Sequence, residues 1–174
     1  MTDLEVTTCG PKARKIGMRL KIAVLVLAAS AAQAGEWKTT TSKDAMTDSV
    51  DVNVWQSSGD TRIDFMCDPD SPVVVLKFAH QLNWEGRGGS HRAEADFRID
   101  GGKPGKLSGG VLPGNPNVLF ITKVDKRFFR EALTGSKLLV QALTFSHGPA
   151  TGEFDLPGLA DALKALPCAK KLPM

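Results

Sequence analysis

The side chains able to do chemistry are few and widely spaced. Three histidines, His80, His91 and His147, and three cysteines, Cys9, Cys67 and Cys168, are spread over 174 residues. No Cys-x-x-Cys and no His-Glu-x-x-His occurs, so the spacings that set zinc ligands on one loop or helix face are missing. His80 and His91 flank a glycine-rich stretch, Glu85 to Ser90, and could approach each other across a hairpin. Two imidazoles alone are a poor ligand set. Asp68 and Asp70 resemble the start of a calcium loop, without its glycine and distal glutamate. No metal and no cofactor is expected. The carboxylates Glu94, Asp96 and Asp100 alternate with Arg98, which reads as a solvated, ion-paired face rather than an acid–base pair.

Phosphate-binding loops are excluded by single residues. Gly105-Lys106 is followed by Leu107, and Asp100 stands where a first glycine belongs. Gly86-Arg87-Gly88 has His91 at the third glycine position. Both stretches read as hairpin loops. There is no Gly-x-Ser-x-Gly elbow. The chain has three tryptophans, Trp37, Trp55 and Trp84, and no tyrosine. Trp55 and Trp84 fall on polar strand phases or in loops, where they could line a ligand groove. With His80, His91, Arg98 and Asp100 they form the candidate binding surface.

These residues must be carried through a compartment before they act. Met18 to Ala34 has a basic start (Arg19, Lys21), an apolar run from Ile22 to Ala29, and the small-x-small triplet Ala32-Gln33-Ala34. This is the pattern of a cleaved export signal, with Ala34 and Gly35 flanking the cut. The eight-residue apolar run is too short for a spanning helix, which needs about 20. Residues 1–17 are polar and read as an extension ahead of the true start at Met18. The mature chain, 35–174, is a single-domain length.

The leader and extension hold five of the 22 basic and two of the 19 acidic side chains, so the mature part carries 17 of each. A neutral domain gives no reason to expect nucleic acid or an anionic membrane as partner. Two cysteines remain after cleavage. In an oxidising compartment an even pair reads as a disulfide, Cys67 to Cys168, rather than two buried thiols.

Hydropathy patterning predicts β structure. Strands are expected at 37–42, across a 50–67 hairpin, at 73–78, 92–100 and 117–124, and from Lys137 to Ser146, with a last short one at 153–156. Gly101 to Pro116, with six glycines and three prolines, reads as turn with one short strand near Lys106. Asp125 and Gly135 bracket a short helix, and Leu159 to Leu166 follow helical spacing. The expected fold is an all-β antiparallel sandwich with two short satellite helices, stapled by one disulfide.

The order of Trp37, Ser42-Lys43-Asp44-Ala45-Met46-Thr47-Asp48-Ser49 and a Val-rich strand resembles the opening of the periplasmic type VI secretion-associated proteins called VasI or TagO. Phe97-Arg98-Ile99-Asp100-Gly101 is similar to that family's Arg-x-Asp strand end. Phe128 to Leu133 with Leu138-Leu139-Val140 resembles its helix and following strand. Phe154-Asp155-Leu156-Pro157-Gly158-Leu159 and Cys168 resemble its close. The resemblance implies a periplasmic or secreted accessory module without catalytic residues, whose partner is an envelope protein or cell-wall material. Two other classes fit the same sequence. One is a small secreted hydrolase using His80 or His91 with a carboxylate. The other is an exported inhibitor or immunity protein.

Overall fold

The computed structural model describes residues 35–86, 91–112 and 114–172. The leader (18–34) and the extension before it (1–17) lie outside the described residues. The strands, in chain order, are β1 (Lys38–Lys43), β2 (Val50–Ser58), β3 (Thr61–Asp68), β4 (Ser71–Lys77), β5 (Arg92–Ile99), β6 (Gly105–Leu112), β7 (Asn115–Ile121), β8 (Lys137–Thr144) and β9 (Gly148–Asp155). Helix α1 (Lys126–Thr134) lies between β7 and β8, and α2 (Leu159–Leu163) follows β9. All pairings are antiparallel, in the order β1-β2-β3-β4-β7-β6-β5-β8-β9.

The fold is thus the all-β, antiparallel, disulfide-stapled one, and its two layers are the halves of one rolled sheet. Alternation explains the roll. On β5, Ala93, Ala95, Phe97 and Ile99 are buried while Arg92, Glu94, Asp96 and Arg98 are exposed. On β8, Leu138, Val140 and Ala142 are buried between exposed neighbours. A sheet with one apolar face must cover it, and here the sheet covers itself. The ends meet where β9 reaches β2 and β3 through side chains. Gln56 Oε1 accepts from the Asp155 amide at 3.0 Å, and the Glu153 amide donates to Ser58 Oγ at 3.1 Å.

One end of the core is closed by α1. Asp125 caps it, accepting from the Arg127 amide, and its apolar side delivers Phe128 and Phe129 into the interior. Phe128 meets Phe97 edge-on at 5.1 Å and lies 6.5 Å from Phe65, which Trp37 meets edge-on at 5.6 Å. Behind α2, Cys168 bonds to Cys67 with Cα atoms 5.8 Å apart, tying the C-terminal segment to β3.

Two expectations are corrected. The glycine-rich stretch 101–116 is not mostly turn: β6 spans eight of its residues. Its glycines make room for neighbours. A Cβ on Gly105 would stand 2.3 Å from the Phe97 ring, and one on Gly109 2.4 Å from the Phe120 carbonyl oxygen. The last strand is not the short 153–156 segment. β9 begins at Gly148, directly after the turn, and runs eight residues.

Candidate functional site

Outward-facing residues of β5, β6 and β8 line a cleft of about 590 Å³. Register sets its floor: Glu94 lies opposite Ser108, Asp96 opposite Lys106, and Asp96 also opposite Gln141. The β4–β5 connection forms one wall. Leu82 is buried and bridges to Thr144, the Asn83 amide donates to the Leu143 carbonyl at 2.8 Å, and Glu85 and Arg92 exchange two backbone bonds of 2.8 Å. These bonds hold Asn83 and Glu85 over the floor. Leu143 forms the other wall.

Two of the floor charges, Glu94 and Lys106, are paired with each other. Lys106 Nζ is 2.6 Å from Glu94 Oε2, and the Ser108 hydroxyl donates to Glu94 Oε1 at 3.1 Å. The Lys106 hydrogen bond, and then that from Ser108, hold the Glu94 carboxyl below its ordinary range. The same contact with Glu94 raises Lys106. Both groups are therefore firmly charged near neutrality, which suits recognition by charge and not proton transfer. Beside the cleft, β8 presents an apolar ledge. Leu143 is 61% exposed and Phe145 just beyond the strand 73%, with Leu139 also exposed on the same face.

The predicted binding residues sort into separate neighbourhoods. Trp55 lies on the outer face of β2, with the Arg62 guanidinium 3.9 Å and Lys38 Nζ 5.1 Å from its ring. His80 does not meet His91. It stacks on His147 at 3.8 Å, with planes 6° apart, and Ser146 Oγ is hydrogen-bonded to His147 Nδ1 at 2.8 Å. His91 packs on Trp84 at 3.9 Å, and its Nδ1 has no hydrogen-bond partner among the described residues.

Arg98 and Asp100 border a second hollow of about 490 Å³ with Lys137, Leu139 and Glu153. Asp100 is structural. Its backbone takes a positive φ of 48°, and its carboxylate accepts from the Ser136 amide at 2.9 Å and the Lys137 amide at 2.8 Å, fixing the turn into β8. Cys67 and Cys168 are bonded to each other. Gly35 is placed at the β2–β9 seam, whereas Ala34 lies outside the described residues.

Sequence reasoning missed the cleft. It saw the alternating charges of β5 but gave them Arg98 as their counter-ion on the same strand. The partner of Glu94 is Lys106, on a strand whose glycines disguise its length. The signal that could have found it is the polar phase of Lys106-x-Ser108.

Among the described residues no group of three or more His, Cys, Asp or Glu is placed to hold a metal ion. No described helix is long and apolar enough to cross a membrane. Comparisons with protein-family models, curated proteins and solved structures found no match for this chain.

Proposed function

We propose that this chain is an exported, non-enzymatic envelope module of the secretion-associated type, acting in the periplasm or outside the cell. It binds a protein partner through the β5–β6–β8 face. The observation that carries this reading is the juxtaposition of the apolar ledge, Leu143 and Phe145, with a polar cleft whose floor holds the Glu94–Lys106 ion pair. An apolar centre beside a polar rim is the anatomy of a protein interface. The leader pattern and the Cys67–Cys168 disulfide favour export. The hydrolase alternative needs a carboxylate against a histidine. His80 instead has His147 as its neighbour, and His91 has Trp84.

The test places a photo-crosslinking residue at Leu143, at Phe145 and, as control, at Thr40 on β1, in cells exporting the full chain. A discrete crosslinked protein from positions 143 and 145, absent from position 40, supports the proposal. Crosslinks to none, or equally to all three, overturn it. Co-sedimentation with isolated cell wall, unaffected by Leu143→Glu with Phe145→Glu, also counts against the protein-partner reading. A stoichiometric complex with one enzyme, whose toxicity the chain suppresses, would assign the partner to the inhibitor class.

A further inference from the structure

We infer that the fold carries a receptor for the amino terminus that leader removal creates, formed by Asp155, Gln56 and Trp37 at the β2–β9 seam. The inference rests on the export reading, because only cleavage between Ala34 and Gly35 produces that terminus. The Gly35 nitrogen donates to Asp155 Oδ2 at 2.8 Å. The Gly35 carbonyl accepts from Gln56 Nε2. Gln56 also reaches the Asp155 backbone, accepting from its amide at 3.0 Å and donating to its carbonyl at 3.2 Å. Trp37 Nε1 donates to the same carbonyl at 2.9 Å.

The site is shaped for glycine. A Cβ at position 35 would stand 3.0 Å from both Cδ and Nε2 of Gln56, a side chain only 3% exposed. A Cβ there would require Gln56 to give way by a few tenths of an ångström. The hydrogen bond of the lysine across from Asp155 goes elsewhere, and Asp155 is only a lesser electrostatic neighbour of that ammonium. Lys137 lies opposite Asp155 in the β8–β9 ladder, yet gives its ammonium to Glu153.

Cleavage changes the chemistry at this point. Water adds across the Ala34–Gly35 peptide bond, Ala34 departs with a carboxylate, and the Gly35 nitrogen gains protons to become an ammonium. A neutral amide with one N–H becomes a cation with three, facing an anion at hydrogen-bond distance. Charge-assisted bonds of this kind are roughly twice as strong as neutral ones. The terminus then locks the seam where the rolled sheet lacks a backbone ladder, so the processed chain is the tightly closed one.

Three forms released from a removable fusion and oxidised test this: one beginning at Gly35, one beginning at Ala34, and one beginning at Gly35 with an acetylated nitrogen. Each is made with Asp155 and with Asp155→Asn. The free Gly35 form should melt about 3 °C or more above the other two, and Asp155→Asn should abolish the gap. Equal melting of all three, or a gap undiminished by Asp155→Asn, overturns the inference. If Asp155→Asn does not fold, acylation of the terminal amine decides. In the native Gly35 form it should run about tenfold slower than in the unfolded chain, and equal rates overturn the inference. The mass of the exported protein separates the two readings. A terminus other than Gly35 sinks the cleavage reading and the receptor with it, whereas a Gly35 terminus without the melting gap sinks the receptor alone.

Discussion

Arg62 grips the carboxylate of Asp64, two residues along the same strand, with its Nε 3.0 and 3.1 Å from the two carboxylate oxygens. Asp64 is fully buried although it points away from the core. Lys77 lies 3.4 Å away on β4, and the Trp55 ring covers the guanidinium. Removing one partner from a buried pair leaves a charge without compensation. Arg62→Ala should therefore lower the unfolding free energy by about 2–3 kcal/mol, with Lys77 supplying partial relief. Arg62→Lys should recover less than half, since an ammonium matches neither the paired oxygens nor the indole face. Urea denaturation of the three proteins measures both effects.

The bond between Cys67 and Cys168 closes a loop of 101 positions. It limits the unfolded chain more than it reshapes the folded one, and its loss should cost about 2–5 kcal/mol. The double variant Cys67→Ser with Cys168→Ser should show this in denaturation, and dithiothreitol should produce the same fall in the natural chain. Cys168 is 4% exposed while Cys67 is half-buried, so a reductant should enter at the Cys67 sulfur, and reduction should accelerate with mild denaturant. Thiol alkylation timed against denaturant concentration reads this directly.

Where one face of a strand is apolar and the other polar, the chain declares the strand and its orientation, as β5 does; β8 carries leucines on both faces, so it declares the strand without its orientation. The helix bracket is equally legible, because Asp125 is the cap and Gly135 the stop. The reason for Gly135 is not. Its backbone is extended, with φ −81°, and a Cβ there would stand 2.5 Å from Ile99 Cγ2. The same holds for Gly105 and Gly109 in β6. A glycine required by a neighbour cannot be told from a glycine required by a turn until the neighbour is known, so the sequence shows only a short strand near Lys106 where β6 runs eight residues. The cleft was hidden for that reason, and the pairing of His80 with His147 because it depends on which loops share an end of the sheet.

Phe128 and Phe145 make a matched test of that folding logic. Both are phenylalanines outside the strands, Phe128 in α1 and Phe145 just past β8, but Phe128 is wholly buried in the aromatic cluster and Phe145 is 73% exposed. Phe128→Ala should cost about 3–5 kcal/mol through lost transfer energy and the cavity left behind. Phe145→Ala should change stability by no more than about 0.5 kcal/mol. Comparable losses at the two positions in thermal denaturation would contradict the assignment of α1 as the plug and of Phe145 as a free ledge.

The pair of Glu94 and Lys106 gives the cleft a defined pH window. The Glu94 carboxyl is lowered in the folded chain, chiefly by the Lys106 hydrogen bond. Its contribution is therefore present above the ordinary carboxylate range and disappears as pH falls through the lowered folded value. Lys106 is raised by the same contact, so its contribution is complete below the ordinary lysine range and disappears as pH rises through the raised one. Between those limits the Glu94–Lys106 pair should keep both its charges. Side-chain carboxyl NMR should place the Glu94 midpoint below that of an unstructured glutamate. Lys106→Met should move it upward, and Ser108→Ala by less, because the lysine contact is the larger of the two causes. A Glu94 midpoint unmoved by Lys106→Met would show that the two side chains do not meet in solution and that the cleft floor is open to a different counter-ion.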